Sequence, residues 1–153
     1  MSAVEDRLAE LGLQLPEVAV PLAAYVPALR DGNLVFTSGQ LPVVGGQLQA
    51  TGKVGAEVTQ EEAAKLAEIC ALNAIAAVKT VIGDLDQVTQ VVKVVGFVAS
   101  DPAFTGQPAV INGASELFGK AFGERGAHAR SAVGVAVLPL DAPVEVEITV
   151  SVR

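Results

Sequence analysis

Arg130 stands at the head of Ser131 to Leu138, a run that alternates like a strand, and Glu145 and Glu147 share one side of a second such run, Val144 to Val152. A guanidinium is a planar, permanently charged fork suited to gripping a carboxylate, and a carboxylate on a strand can orient water or take its proton. The same types also suit plainer roles. Arg130 could be a solvated charge or an ion-pair partner, and the two glutamates the polar half of an amphipathic strand. A histidine can carry protons in catalysis, yet His128 sits in a Gly-Ala-His-Ala loop with no partner evident in sequence. Cys70 lies mid-helix among alanines and reads as a small core residue. Tyr25, Ser38 and Asn112 can equally be a packing aromatic, a turn residue and a helix-surface amide.

Composition narrows the chemistry. With one cysteine and one histidine, neither an intrachain disulfide nor an ordinary zinc site can form, and only a carboxylate-rich metal site stays open. A net charge of −7, with no cluster of lysines and arginines, repels phosphate backbones and argues against nucleic acid as a partner. Lys65, Glu68, Asn73 and Lys79 interrupt the most apolar region, so no membrane span is expected. Glu5 and Asp6 stand where a secretory signal needs basic residues, and the expected location is the cytoplasm. Hydrophobic residues reach 51% against 18% charged, a surplus that points to a face covered by another subunit.

The elements that must position these residues follow from periodicity and punctuation. Val4, Leu8 and Leu11 predict a short amphipathic helix over Ala3 to Leu11, closed by Gly12, after which Pro16 and Pro21 lead the chain away. Two short strands, Tyr25 to Leu29 and Leu34 to Ser38, flank Asp31-Gly32 and read as a hairpin. Gly39 to Gly55 reads as an irregular loop. Thr59 and Glu62 predict a capping box opening a long alanine-rich helix to about Ile82, stopped by Gly83. Val91 to Ala99 is a β-branched run expected to be a mostly buried strand, and Pro108 to Phe122 a second helix. The last two strands flank the turn from Pro139 to Pro143. The order predicts one α+β domain over residues 1–153, a single sheet with two helices packed on one face, preceded by an extension at residues 1–20.

Three stretches carry a resemblance. Tyr25-Val26, then Gly32-Asn33-Leu34-Val35-Phe36-Thr37-Ser38-Gly39-Gln40-Leu41-Pro42, and finally Ala129-Arg130-Ser131-Ala132-Val133 through Leu138-Pro139 to Val144-Glu145-Val146-Glu147 resemble the signatures of the reactive intermediate deaminase (RidA/YjgF) family, in order. The resemblance implies a chorismate-mutase-like fold and a homotrimer whose sheets form a central barrel, with ligand clefts between subunits. It also implies cofactor-free hydrolysis of reactive enamines and imines, 2-imino acids among them, to keto acid and ammonia. By the same resemblance Arg130 is the substrate-binding arginine, Glu145 the acid that handles water, and Tyr25, Ser38 and Asn112 cleft residues that contact the ligand. The alternative is a trimer that binds a small carboxylate without turning it over. The chain departs from the common pattern at Ala23-Ala24, where Gly-Pro often precedes the tyrosine, and at Ala132, where many members have cysteine. Added lengths around Gly45 to Val58 and Ala99 to Gln107 mark it as a divergent branch.

One expectation is geometric. If the last two strands form a hairpin about Leu140, Arg130 lies opposite roughly Ser151 and about 20 Å from Glu145 at strand spacing. Both could then serve one ligand only from different subunits.

Overall fold

The computed structural model describes residues 1–18 and 24–153; Pro21 and Ala23 lie outside the described residues. The elements are α1 (Ala3–Glu10), β1 (Ala28–Asp31), β2 (Leu34–Thr37), β3 (Val43–Val44), β4 (Gln47–Leu48), α2 (Gln60–Ile82), β5 (Val88–Ala99), α3 (Gln107–Phe122), β6 (Ala129–Val135) and β7 (Val144–Val152). The expected α+β order holds, with a small β3–β4 hairpin inside the segment read as loop. The β1–β2 turn is Gly32-Asn33, one residue on from the expected dipeptide, because Asp31 pairs with Leu34 and Gly32 takes the positive φ of 61° at the first central position.

The main sheet runs β1-β2-β7-β5-β6, which corrects the expected final hairpin. β5 lies between β6 and β7, parallel to the first and antiparallel to the second. Residues 136–143 carry the chain over the end of β5. Ser100 N donates to Val135 O at 3.0 Å and Ala99 N to Pro143 O at 2.9 Å, so the connection clasps a third strand. Alternation along β6 and β7 reports which side chains share a face; it does not report who pairs with whom. Within the crossing, Leu140 and Asp141 both take φ of 60°, uncommon without glycine. Asp141 is held there by an ion pair with Lys53, and its carbonyl accepts from Gly52 N at 3.0 Å.

One face of the sheet is closed by α2 and α3. Val144, Val146, Ile148, Val150 and Val152 of β7 join Val35, Val94 and Val98 in a core that also takes in Ala67, Ala71, Ile75 and Phe118 from the helices. A fully buried valine contributes about 1.5–3 kcal/mol, so this stripe anchors the layer. The helices themselves meet at Gly113, where a Cβ would stand 1.9 Å from the Ala64 carbonyl oxygen. Only a residue without a side chain allows that crossing. β5 buries Val94 and Val98 under the helices but leaves Val95 and Phe97 half-buried on the open face, less enclosed than its β-branched run suggested.

Helix ends follow their caps. Thr59 Oγ1 accepts from Glu62 N at 3.1 Å, so the Thr59 half of the expected box forms, and Gly83 closes α2 at φ 74°. The reciprocal box occurs instead at Ser2 and Glu5 of α1. Asp86 accepts from Ala3 N at 2.9 Å, and Arg7 Nη1 donates to Ala121 O at 3.0 Å, docking α1 on the body of the fold. Among the described residues, no helix is long and apolar enough to cross a membrane.

Glu5 also pairs with Lys79, and that hydrogen bond, with the one from Ser2 N, lowers its carboxyl from the ordinary 4.5 to about 2. A depressed carboxylate adds stability that is present above pH 4.5 and lost as pH falls toward 2. The melting temperature of the native chain should therefore drop more steeply than that of Glu5→Gln across this window, the two curves converging at its acid end. Parallel curves would show that the α1 ion pair does not stabilise the fold.

Candidate functional site

Arg130 is the second residue of β6, an edge strand of the main sheet. It pairs with Val94, which pairs in turn with Ile148, so its side chain rises on the helix face. There it meets α3, whose Asn112 and Ser115 are three residues apart and share one side of the helix. Arg130 Nη1 donates to Asn112 Oδ1 at 2.8 Å and to Ser115 Oγ at 3.2 Å. Among the described residues no carboxylate pairs with this guanidinium, and its Nε and Nη2 make no protein hydrogen bond. Its outer edge is thus free to take an anion through two parallel bonds.

Glu145 stands elsewhere. It lies three residues from Ile148 along β7, so its side chain falls on the opposite, open face, about 14 Å from Arg130 between Cα atoms. The two do not meet within one chain. That agrees with the expected separation but for another reason: the sheet itself stands between them. Burial raises the Glu145 carboxyl above the ordinary carboxylate value, and the neighbouring Glu147 charge adds to the rise. Burial also pushes up the thiol of Cys70, which sits fully buried beneath β7 as a core residue.

Tyr25 and Ser38 gather in a cleft where β2 runs on past its ladder with β7. β2 pairs Phe36 with Thr149, and the chain next bridges Gln40 to Val146, so residues 37–39 oppose only 147–148. This bulge turns the chain. Thr37 Oγ1 takes the Ile148 N–H at 3.0 Å, where the ladder has lost its carbonyl. It also lays Gly39 over Glu145, where a Cβ would stand 2.8 Å from the carboxyl carbon. Ser38 Oγ donates to Val26 O at 2.6 Å, which fixes the loop that presents Tyr25. Tyr25 is 58% exposed and lines a cleft of about 750 Å3 with Ser38, Gly39 and the β3–β4 hairpin. Asn73 of α2 anchors the far wall, its Nδ2 donating to Leu41 O and Val43 O at 3.0 Å each.

The five expected residues therefore fall in separate places. Arg130 and Asn112 meet on the helix face, Tyr25 and Ser38 line the cleft at the bulge, and Glu145 lies under Gly39 on the open face. Sequence reasoning missed Ser115, Gly39 and Asn73. Gly39 carried a signal in the signature stretch that contains it, and Ser115 in its three-residue spacing from Asn112 on a helix. Among the described residues no three His, Cys, Asp or Glu side chains gather as metal ligands.

Comparison with known proteins adds the lineage. Residues 5–150 match the family model described as "YjgF/chorismate mutase-like, putative endoribonuclease". Protein TCP17 of Trypanosoma cruzi is 45% identical over 153 residues, covering 98% of this chain and 94% of that protein. The crystal structure of Atu1372 from Agrobacterium tumefaciens, a protein of unknown function, is 47% identical with a TM-score of 0.93, covering 99% of this chain and 93% of the other. The structure of E. coli TdcF with bound serine is 29% identical with a TM-score of 0.59, covering 91% and 94%. With the signature stretches, the five-stranded main sheet and the family match all on one chain, the protein belongs to the RidA/YjgF family.

Proposed function

We propose that the protein hydrolyses reactive enamine and imine intermediates, 2-imino acids in particular, to keto acid and ammonia, without a cofactor, at clefts between the subunits of a homotrimer. The observation that carries this reading is Arg130, braced through Nη1 by Asn112 and Ser115 with its Nε–Nη2 edge unpaired among the described residues. Such an edge fits a substrate carboxylate. Serine, the ligand of TdcF, is likewise a small carboxylate-bearing molecule.

The chemistry asks little more. Water adds to the C=N carbon and one of its protons passes through Glu145 to the nitrogen, giving a carbinolamine; the hydroxyl proton then follows by the same carboxylate, the C–N bond breaks, and ammonia leaves as the C=O bond forms. A carboxyl whose affinity for protons is raised is better matched to this transfer near neutral pH than an ordinary one. Tyr25 and Ser38 would add hydrogen bonds at the Glu145 end and Asn112 at the Arg130 end.

Arg130 and Glu145 lie on opposite faces of the sheet, so serving one ligand calls for more than one subunit. The open face supports this, since Leu29, Leu34, Phe36 and Val133 are all exposed on it. Closing three such sheets into a barrel would cover them.

The direct test is keto-acid release from enzymatically generated 2-imino acids, with several side chains in parallel. Acceleration over the uncatalysed rate is expected with at least one of them. No acceleration with any, together with saturable binding of a 2-keto acid, would favour the alternative of a trimeric carboxylate-binding protein.

A further inference from the structure

His128 is fixed at both ring nitrogens. Nδ1 lies 2.6 Å from the Gly126 carbonyl oxygen, and a carbonyl only accepts, so Nδ1 carries the proton of that bond. In the neutral ring Nε2 is then an acceptor, and it lies 2.8 Å from Ser115 Oγ. The ring is also packed edge to face with Phe118 at 6.0 Å, which limits its rotation.

The direction of the remaining bonds follows. Ser115 has one hydroxyl proton, and giving it to His128 leaves only lone pairs on Oγ. One of them receives Arg130 Nη1 at 3.2 Å. Hydrogen bonds therefore run one way, from Arg130 to Ser115, from Ser115 to His128, and from His128 to Gly126 O. Without the Nε2 acceptor, the Ser115 hydroxyl would be free to rotate its proton toward Arg130, and the second brace on the guanidinium would be lost.

We propose that Ser115 and His128 are positioning residues for Arg130, a polarised chain that fixes Nη1 and aims the Nε–Nη2 edge at the ligand carboxylate. Asn112 supplies the other brace on the same nitrogen. The proposal rests on reading Arg130 as the carboxylate anchor. The rival role for His128 is a brace for its own loop, which needs the ring and its Nδ1–H but makes no use of Ser115.

The experiment measures KM and kcat for imine hydrolysis, and the Kd of a 2-keto acid, in Ser115→Ala, Ser115→Thr, His128→Phe and His128→Gln. Ser115→Ala and His128→Phe should raise KM and Kd about three- to tenfold, less than the full worth of a charge-assisted hydrogen bond because Asn112 still braces the same nitrogen, with kcat held within about twofold. Threonine at 115 keeps the hydroxyl and glutamine at 128 can offer an amide oxygen, so both should recover much of the loss. In an Arg130→Ala background, Ser115→Ala should cost nothing further, because the nitrogen it braces is gone. Unchanged KM and Kd in Ser115→Ala, while Arg130→Ala weakens both, would overturn the positioning chain alone. An additive loss in the double variant, or a loss that threonine fails to recover alongside a lowered melting temperature, would assign Ser115 to folding and overturn it too. Arg130→Ala with undiminished binding would instead remove the anchor reading on which the chain depends.

Discussion

Replacing Arg130 by alanine should lower kcat/KM for a 2-imino acid by about a hundredfold or more, and weaken binding of the corresponding keto acid by a similar factor. A hydrogen bond to a charged group is worth about 1.5–3 kcal/mol, and the open edge of Arg130 offers two in parallel. Arg130→Lys keeps the charge but replaces the fork with a point, and it cannot hold Asn112, Ser115 and a carboxylate together in one plane. It should recover only part of the loss. A substrate analogue in which the carboxylate is an amide should be indifferent to either change. Steady-state kinetics on the imine and its amide check all three statements, and equal losses on both compounds would show that Arg130 supports the fold and not the ligand.

Glu145→Gln carries the second large effect, with two readouts of opposite sign. Loss of the proton-transferring group should reduce kcat by about 10²- to 10⁴-fold. Activity of the native protein should fall on the acid side through a pKa above the ordinary carboxylate value, since burial and Glu147 both raise Glu145. Stability should move the other way. A carboxyl whose folded pKa is raised contributes fully below its unfolded value and costs stability once pH rises through the folded one. The glutamine variant should therefore melt higher than the native protein at neutral pH and level with it in acid. Co-expressing Arg130→Ala and Glu145→Gln chains tests the assembly as well. If each site draws Arg130 from one subunit and Glu145 from another, random mixing restores about one quarter of the sites, whereas sites built within single chains stay dead.

The fold was legible wherever a local rule decides it. Thr59, Gly83 and the alanines between them define α2, and the alternation of β7 names its buried valines residue by residue. Pairing was not legible. Pro139 to Pro143 looks the same in sequence whether the chain doubles back at once or steps over β5, because the deciding bonds come from Ala99 and Ser100, some forty residues earlier. The candidate site divides along the same line. Arg130, Glu145, Tyr25, Ser38 and Asn112 stood out through the resemblance, and the residue pattern alone left each with a plain alternative. What holds them was hidden: Gly39 matters because a bulge lays it on Glu145, and His128 because the preceding helix offers Ser115.

The bulge at residues 37–39 has a practical side. It fastens the cleft wall of Tyr25, Ser38 and the β3–β4 hairpin to the β1–β2 end of the sheet, while the Arg130 brace hangs from α3 and β6 at the other edge. The two parts share no side chain. An engineer can lengthen, shorten or replace residues 43–48 to reshape the space beside Tyr25, and the grip on the charged end of the ligand is left as it was. Selection can act in the same manner, drifting one hairpin across many side chains while a single guanidinium keeps the common handle.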